Sequence, residues 1–174
     1  IDLEDFEGTS GWVTATVSGD DIFEISSDTA TASVAIDGSS NAGADNVYLV
    51  SPAFDFSGKG DGVISFDITG GYASELSTFE LVYSTDYSGS GNPESSATWT
   101  GISYDYSSIL QISDPQNSLV ASGDVSIPAA LDGVSTFYLA FRYTSDGTPT
   151  GSENWYLDNI LLRASDAADP VADY

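Results

Sequence analysis

The sequence predicts an all-β protein, an antiparallel sandwich, on three observations. Short runs of β-branched and aromatic residues recur along the chain. Gly, Asp, Asn and Ser cluster between those runs, where a chain reverses direction. No stretch of convincing length carries the apolar period of an amphipathic helix. The close spacing gives about ten strands, enough for two packed sheets.

Each run has its own justification. Trp12 to Val17 alternates apolar and polar positions, as does Ala30 to Ile36. Val47 to Ser51 is mostly apolar and stops at Pro52, which cannot donate to a strand ladder. Val63 to Ile68 reads Val-Ile-Ser-Phe-Asp-Ile, and Phe79 to Tyr83 reads Phe-Glu-Leu-Val-Tyr. Thr98 to Ile102, Ser108 to Ile112 and Asp124 to Ile127 follow. Thr136 to Tyr143 alternates as a strand with one buried face, and Asn154 to Arg163 is the last strand. Gly89 to Pro93 and Thr144 to Gly151 read as polar loops. From Ala164 to Tyr174 the composition shifts to Ala, Asp and Pro. The expected module is therefore 1–163, with 164–174 an acidic linker towards other domains of a larger parent chain.

Composition narrows the functions. A chain of 174 residues suits one domain, and 41% hydrophobic with 12% aromatic residues supports a packed core rather than an acidic disordered tail. Three Lys+Arg against 27 Asp+Glu, without His, give a net charge of −24. That balance excludes nucleic acid and anionic membrane surfaces, whose phosphates need a basic face. Neutral glycans, cationic partners and divalent cations remain. The absence of Cys removes disulfides, thiolate zinc sites and cysteine nucleophiles. No apolar run approaches a membrane span, so no membrane insertion is expected. The start at Ile1-Asp2-Leu3 reads as that of an excised module or mature fragment. Acidity with abundant Ser, Thr and Gly fits a secreted or surface protein in salty or calcium-rich water.

Three residue patterns bear on chemistry. Asp158 interrupts the apolar run of the last strand, and a buried carboxylate costs several kcal/mol unless neutralised. Only Lys59, Arg142 and Arg163 are basic, so a bound cation is the leading partner. Trp12, Trp99 and Trp155 with ten tyrosines raise stacking against sugar rings. Trp155, Trp12 and Trp99 are expected in the core, whereas Tyr72, Tyr87, Tyr104, Tyr106 and Tyr143 flank polar loops and are the candidates for ligand contact. Catalysis is not expected. Without His or Cys the usual nucleophile–base pairs are missing, and pairs such as Asp20-Asp21 arise by chance in so acidic a chain.

Seven short segments then occur in a recognisable order. Asp5-Phe6-Glu7 with Gly11-Trp12 comes first, then Leu49 to Ser57, Ser65-Phe66-Asp67 and Tyr83 to Asp86. Trp99, Phe141-Arg142-Tyr143 and Trp155 to Ile160 complete the series. From Leu3 to Arg163 the chain resembles the bacterial choice-of-anchor J and cleaved-adhesin modules, relatives of the MAM domain. The resemblance implies a jelly-roll sandwich carried by secreted or surface proteins, with a structural calcium. Carried over by position, it nominates Glu7, Asp158 and, before Val47, Asp45 or Asn46 as calcium ligands. First and last strands lying side by side would bring Glu7 near Asp158. The expected function is a non-catalytic, calcium-stabilised accessory module that binds cell-surface glycan. The alternative is an adhesion or spacer module whose partner is an extracellular protein.

Overall fold

The computed structural model describes residues 2–4, 11–26, 33–37, 44–71, 78–105, 118–146 and 154–167. Within them the chain forms twelve strands, one short α-helix and a 3-10 turn. The strands are β1 (Asp2–Glu4), β2 (Val13–Ser18), β3 (Glu24–Ser26), β4 (Ser33–Asp37), β5 (Asn46–Val50), β6 (Lys59–Gly71) and β7 (Thr78–Ser84). After helix α1 (Pro93–Ser96) come β8 (Thr100–Ile102), β9 (Val120–Ala121), β10 (Val125–Ser126), β11 (Tyr138–Thr144) and β12 (Asn154–Asp166). The expected strand at Ser108 to Ile112 lies outside the described residues.

Two antiparallel sheets face one another. One is five-stranded, in the order β2-β5-β11-β7-β8. The other is seven-stranded, in the order β10-β6-β12-β4-β3, with β1 beside β12 and β9 beside β6. This is the expected sandwich. The last strand pairs with β1, Asp2 to Glu4 lying opposite Leu162 to Ile160, whereas Trp12 to Val17, the first expected strand, forms β2 in the other sheet.

Alternation builds the core. In β6, Ile64, Phe66 and Ile68 point inward while Val63, Ser65 and Asp67 do not. In β11, Leu139, Phe141 and Tyr143 point inward. The Trp155 indole stacks on Phe79 at 4.7 Å and 16°. Gly70 lies opposite Trp155 in the register, and a Cβ there would come within 2.8 Å of the indole. Trp12 and Trp155 are core residues, as expected.

Three outcomes differ from expectation. The last strand runs past Arg163 to Asp166, opposite Lys59, so the start of the expected linker is sheet. Short strands β1, β3 and β9 carry too few residues for a period to show. The Gly89 to Pro93 loop belongs to a longer strap, residues 85–99, that crosses the outer face of the five-stranded sheet and places α1 against β2. It covers Tyr48, Val50, Val82 and Ala140, giving that face a second apolar cluster in which Trp99 is half-buried.

Candidate functional site

Asp158 sits at a seam. On one side of β12, β4 pairs as far as Leu157 and β1 takes over at Ile160. On the other side Asp158 lies directly opposite Asp67 of β6. The next pairing is Leu161 with Ser65, so β12 carries one extra residue there. Asn159 adopts φ 51°, the left-handed conformation that Asn tolerates. This bulge resets the alternation: Trp155 and Leu157 face the core before it, Ile160 and Leu162 after it. Asp158 and Tyr156 are left on the outer face, with Asp67 and Thr69 opposite them.

That outer-face patch is nevertheless buried. Asp158 is 1% exposed and Thr69 0%. Asp158 Oδ1 accepts the Asn159 backbone N–H at 2.7 Å, and Asn159 Nδ2 donates to Asp67 Oδ2 at 2.9 Å. The buried Thr69 hydroxyl has no hydrogen-bond partner among the described residues. All three basic side chains are engaged with other carboxylates. Lys59 bridges to Asp166, Arg163 to Asp124, and Arg142 to Glu94 and Glu80. Like charges directly opposite one another in a sheet repel. Two facing carboxylates and an unused hydroxyl form an all-oxygen donor set suited to a hard cation. No group of three or more acidic side chains close enough to hold a metal ion occurs among the described residues.

The other expected ligands part company. Glu7 lies outside the described residues. Asp45, just before β5 of the five-stranded sheet, is 3% exposed. Its Oδ2 accepts the Ser145 hydroxyl at 2.8 Å, and Oδ1 accepts Asp21 N–H at 3.4 Å. Gly19, at φ +88°, makes room, since a Cβ there would lie 2.0 Å from Asp45 Oδ1. Asn46, the residue after Asp45, uses both ends of its amide within the chain. Its Oδ1 accepts Arg142 Nε at 3.0 Å, and its Nδ2 donates to Glu94 Oε1 at 2.9 Å.

Glu94 is the pin of the strap. Its Oε1 also accepts the Tyr48 hydroxyl at 2.9 Å and Arg142 Nη2 at 2.8 Å. The Asn46 amide is the main influence holding this carboxyl below its ordinary value, with Tyr48 and Arg142 adding to it against partial burial. Burial, then the bond to Glu94, pushes the Tyr48 phenol up.

The tyrosines divide likewise. Tyr143 is 0% exposed in the core, and Tyr87, within the strap, is 6% exposed with its ring packed on Trp99 and Tyr138, so neither offers a ring to a ligand. Their place beside polar loops misled, because inward alternation and the strap decide their burial. Tyr72 and Tyr106 lie outside the described residues.

Tyr104 is half-buried beside an open cleft. Strand β8 ends at Ile102, opposite Leu81. Beyond that point the Tyr104 hydroxyl donates to the Phe79 carbonyl at 3.2 Å, while its ring packs edge-on with Phe66. The gap is a cleft of about 280 Å³ between Glu80, Gly101, Ser103 and Tyr104, with Phe79, Leu81 and Ile102 forming its base. Glu80 and Ser103 are exposed. Nothing in the sequence marked Gly101 or Glu80, since their meeting depends on the pairing of β7 with β8.

Comparison with known proteins places this geometry. The K1 cleaved adhesin domain of Lys-gingipain from Porphyromonas gingivalis W83 superposes with a TM-score of 0.56 at 19% identity, over 94% of this chain and 97% of that one. A structure of carbohydrate-binding modules from the β-sandwich superfamily gives 0.56 at 12% identity, over 92% of this chain but only 60% of that one. The CBM22-1 xylan-binding domain of Paenibacillus barcinonensis Xyn10C gives 0.51 at 14% identity, over 95% and 94%. These likenesses establish the shared sandwich fold. No curated protein matches by sequence. Residues 57–172, more than half of the chain, match the family described as "Domain of unknown function (DUF5017)", and the chain belongs to that family.

Proposed function

We propose that this DUF5017 chain is a non-catalytic, calcium-stabilised accessory module of a secreted or surface bacterial protein, and that it binds carbohydrate. The cleft beside Tyr104 is the observation that carries this reading. A half-exposed ring gives a sugar an apolar face, while Glu80 and Ser103 supply hydrogen-bond partners for hydroxyls. The shared fold with a xylan-binding domain supports the reading.

Calcium belongs to the same proposal. Asp158 lies directly opposite Asp67, and the Thr69 hydroxyl adds an oxygen on the same face. Calcium takes about six to eight oxygens, so further donors are needed; we assign Glu7 and main-chain carbonyls that role. Bound there, the ion supplies charge neutralisation and strand locking, not chemistry.

A second reading, adhesion through protein contact, draws on one feature. Val13, on β2 at an edge of the five-stranded sheet, is 50% exposed, and Ile22, between β2 and β3, is 43% exposed.

The test is retention of the domain on neutral polysaccharides in calcium, with thermal melting in EDTA and then in calcium. Retention together with a melting point several degrees higher in calcium is expected. No retention on any polysaccharide leaves the adhesion reading. An unchanged melting point removes the cation.

A further inference from the structure

We propose that the cleft at the end of β8 takes one unit of an uncharged polysaccharide, excludes anionic sugars, and is kept open by Gly101. This inference rests on the carbohydrate reading above and gives it a site and a charge rule.

Gly101 needs an explanation that the fold does not supply. It lies inside a strand, opposite Val82, where a β-branched residue would suit the sheet better. Its backbone is not among those in the left-handed region. Among the described residues no neighbouring atom forbids a side chain either, because a Cβ at this position meets nothing within 4 Å. A glycine required by neither conformation nor crowding leaves its space for something outside the chain. Gly101 lines the cleft together with Glu80, Ser103 and Tyr104.

The groups around it define the ligand. Tyr104 is anchored through its hydroxyl to Phe79, so its ring is a fixed wall rather than a mobile one. Glu80 only accepts hydrogen bonds, Ser103 donates or accepts, and no basic residue lines the cleft. Arg142, the nearest cation to this rim, is 3.5 Å from Glu80 and is also bridged to Glu94. Sugar hydroxyls donate to such a rim. A uronate or sulfate would instead meet the Glu80 carboxylate in the field of a chain carrying −24.

The experiment is calorimetric titration of the wild-type domain and of Gly101→Val with xylohexaose, β-1,4-galactotriose and an oligogalacturonate, in calcium at low salt. A neutral oligosaccharide should bind the wild type. Its affinity should fall at least tenfold in Gly101→Val, whose melting point should be equal or higher. The oligogalacturonate should bind at least tenfold more weakly than the best neutral probe, and Glu80→Gln, which preserves the cleft's shape, should narrow that difference. Equal neutral affinity in Gly101→Val overturns this site while leaving the carbohydrate reading intact. Equal wild-type affinity for the oligogalacturonate overturns the charge rule. A wild type that binds no neutral probe overturns the site and the carbohydrate reading together. If Gly101→Val fails to fold, Gly101→Ala and Glu80→Gln carry the same comparison.

Discussion

The two outer faces of the sandwich face the same difficulty and answer it differently. Beneath the strap, carboxylates and a guanidinium lie on a half-covered sheet and neutralise one another. Glu94 takes three donors on one oxygen, and Arg142 reaches Glu80 and lies 5.5 Å over the Tyr48 ring. At the seam of the seven-stranded sheet, Asp158 and Asp67 face each other while all three basic side chains are engaged elsewhere. The positions of the three basic residues mark the contrast. Arg142 serves the strap face, while Lys59 and Arg163, although in the seven-stranded sheet, bridge Asp166 and Asp124. The calcium proposed above would add positive charge at the seam.

The largest expected break is at the seam. Asp158→Ala should cost about 3 kcal/mol or more in calcium and abolish the melting-point difference between calcium and EDTA, because a ligand is lost and the facing charge is left alone. A full calcium response in this variant would show that Asp158 holds no ion.

On the strap face, Arg142→Met should cost about 2 kcal/mol, a figure held down by the 29% exposure of the side chain. The loss should be the same in EDTA and in calcium, as read from urea midpoints. A calcium-dependent loss would mean that the two faces are coupled.

Asp67→Asn sharpens the comparison through its sign. In EDTA it should stabilise by about 0.5–1 kcal/mol, by relieving like charges across the strand pair. In calcium the gain should vanish or reverse. Destabilisation in EDTA would show that the facing carboxylates do not repel.

Glu94→Gln should have the smallest effect, visible as a pH dependence. Because the folded Glu94 carboxyl is depressed, its contribution is complete above the ordinary value of 4.5 and is lost as pH falls through the lower folded value. Stability measured from pH 3 to pH 7 should therefore converge for wild type and variant at the acid end. A difference that persists unchanged there would mean the pin does not depend on the charge.

Much of the scaffold was legible in the residues. Period-two alternation located β2, β4 and β11, because side-chain direction in a strand repeats every second residue, and β-branched, aromatic or apolar runs located β5, β6, β7 and β12. Burial of Asp158, Trp155 and Trp12 could be read from the apolar company they keep. The scarcity of Lys and Arg is a matter of composition alone.

Register, turns and cover required the tertiary structure. Asp67 meets Asp158 only because β6 and β12 pair with that offset, and one extra residue at Asn159 then turns Ile160 inward. The contacts of Asn46 with Arg142 and Glu94, and the burial of Tyr87 in the strap's apolar cluster, depend on how the strap packs on its sheet. Gly101 became informative only once β8 was seen to end beside Tyr104. Strand periodicity is a local property of the chain. Which residues then face one another across a sheet is decided by packing over the whole sandwich, where a shift of one residue exchanges core for surface.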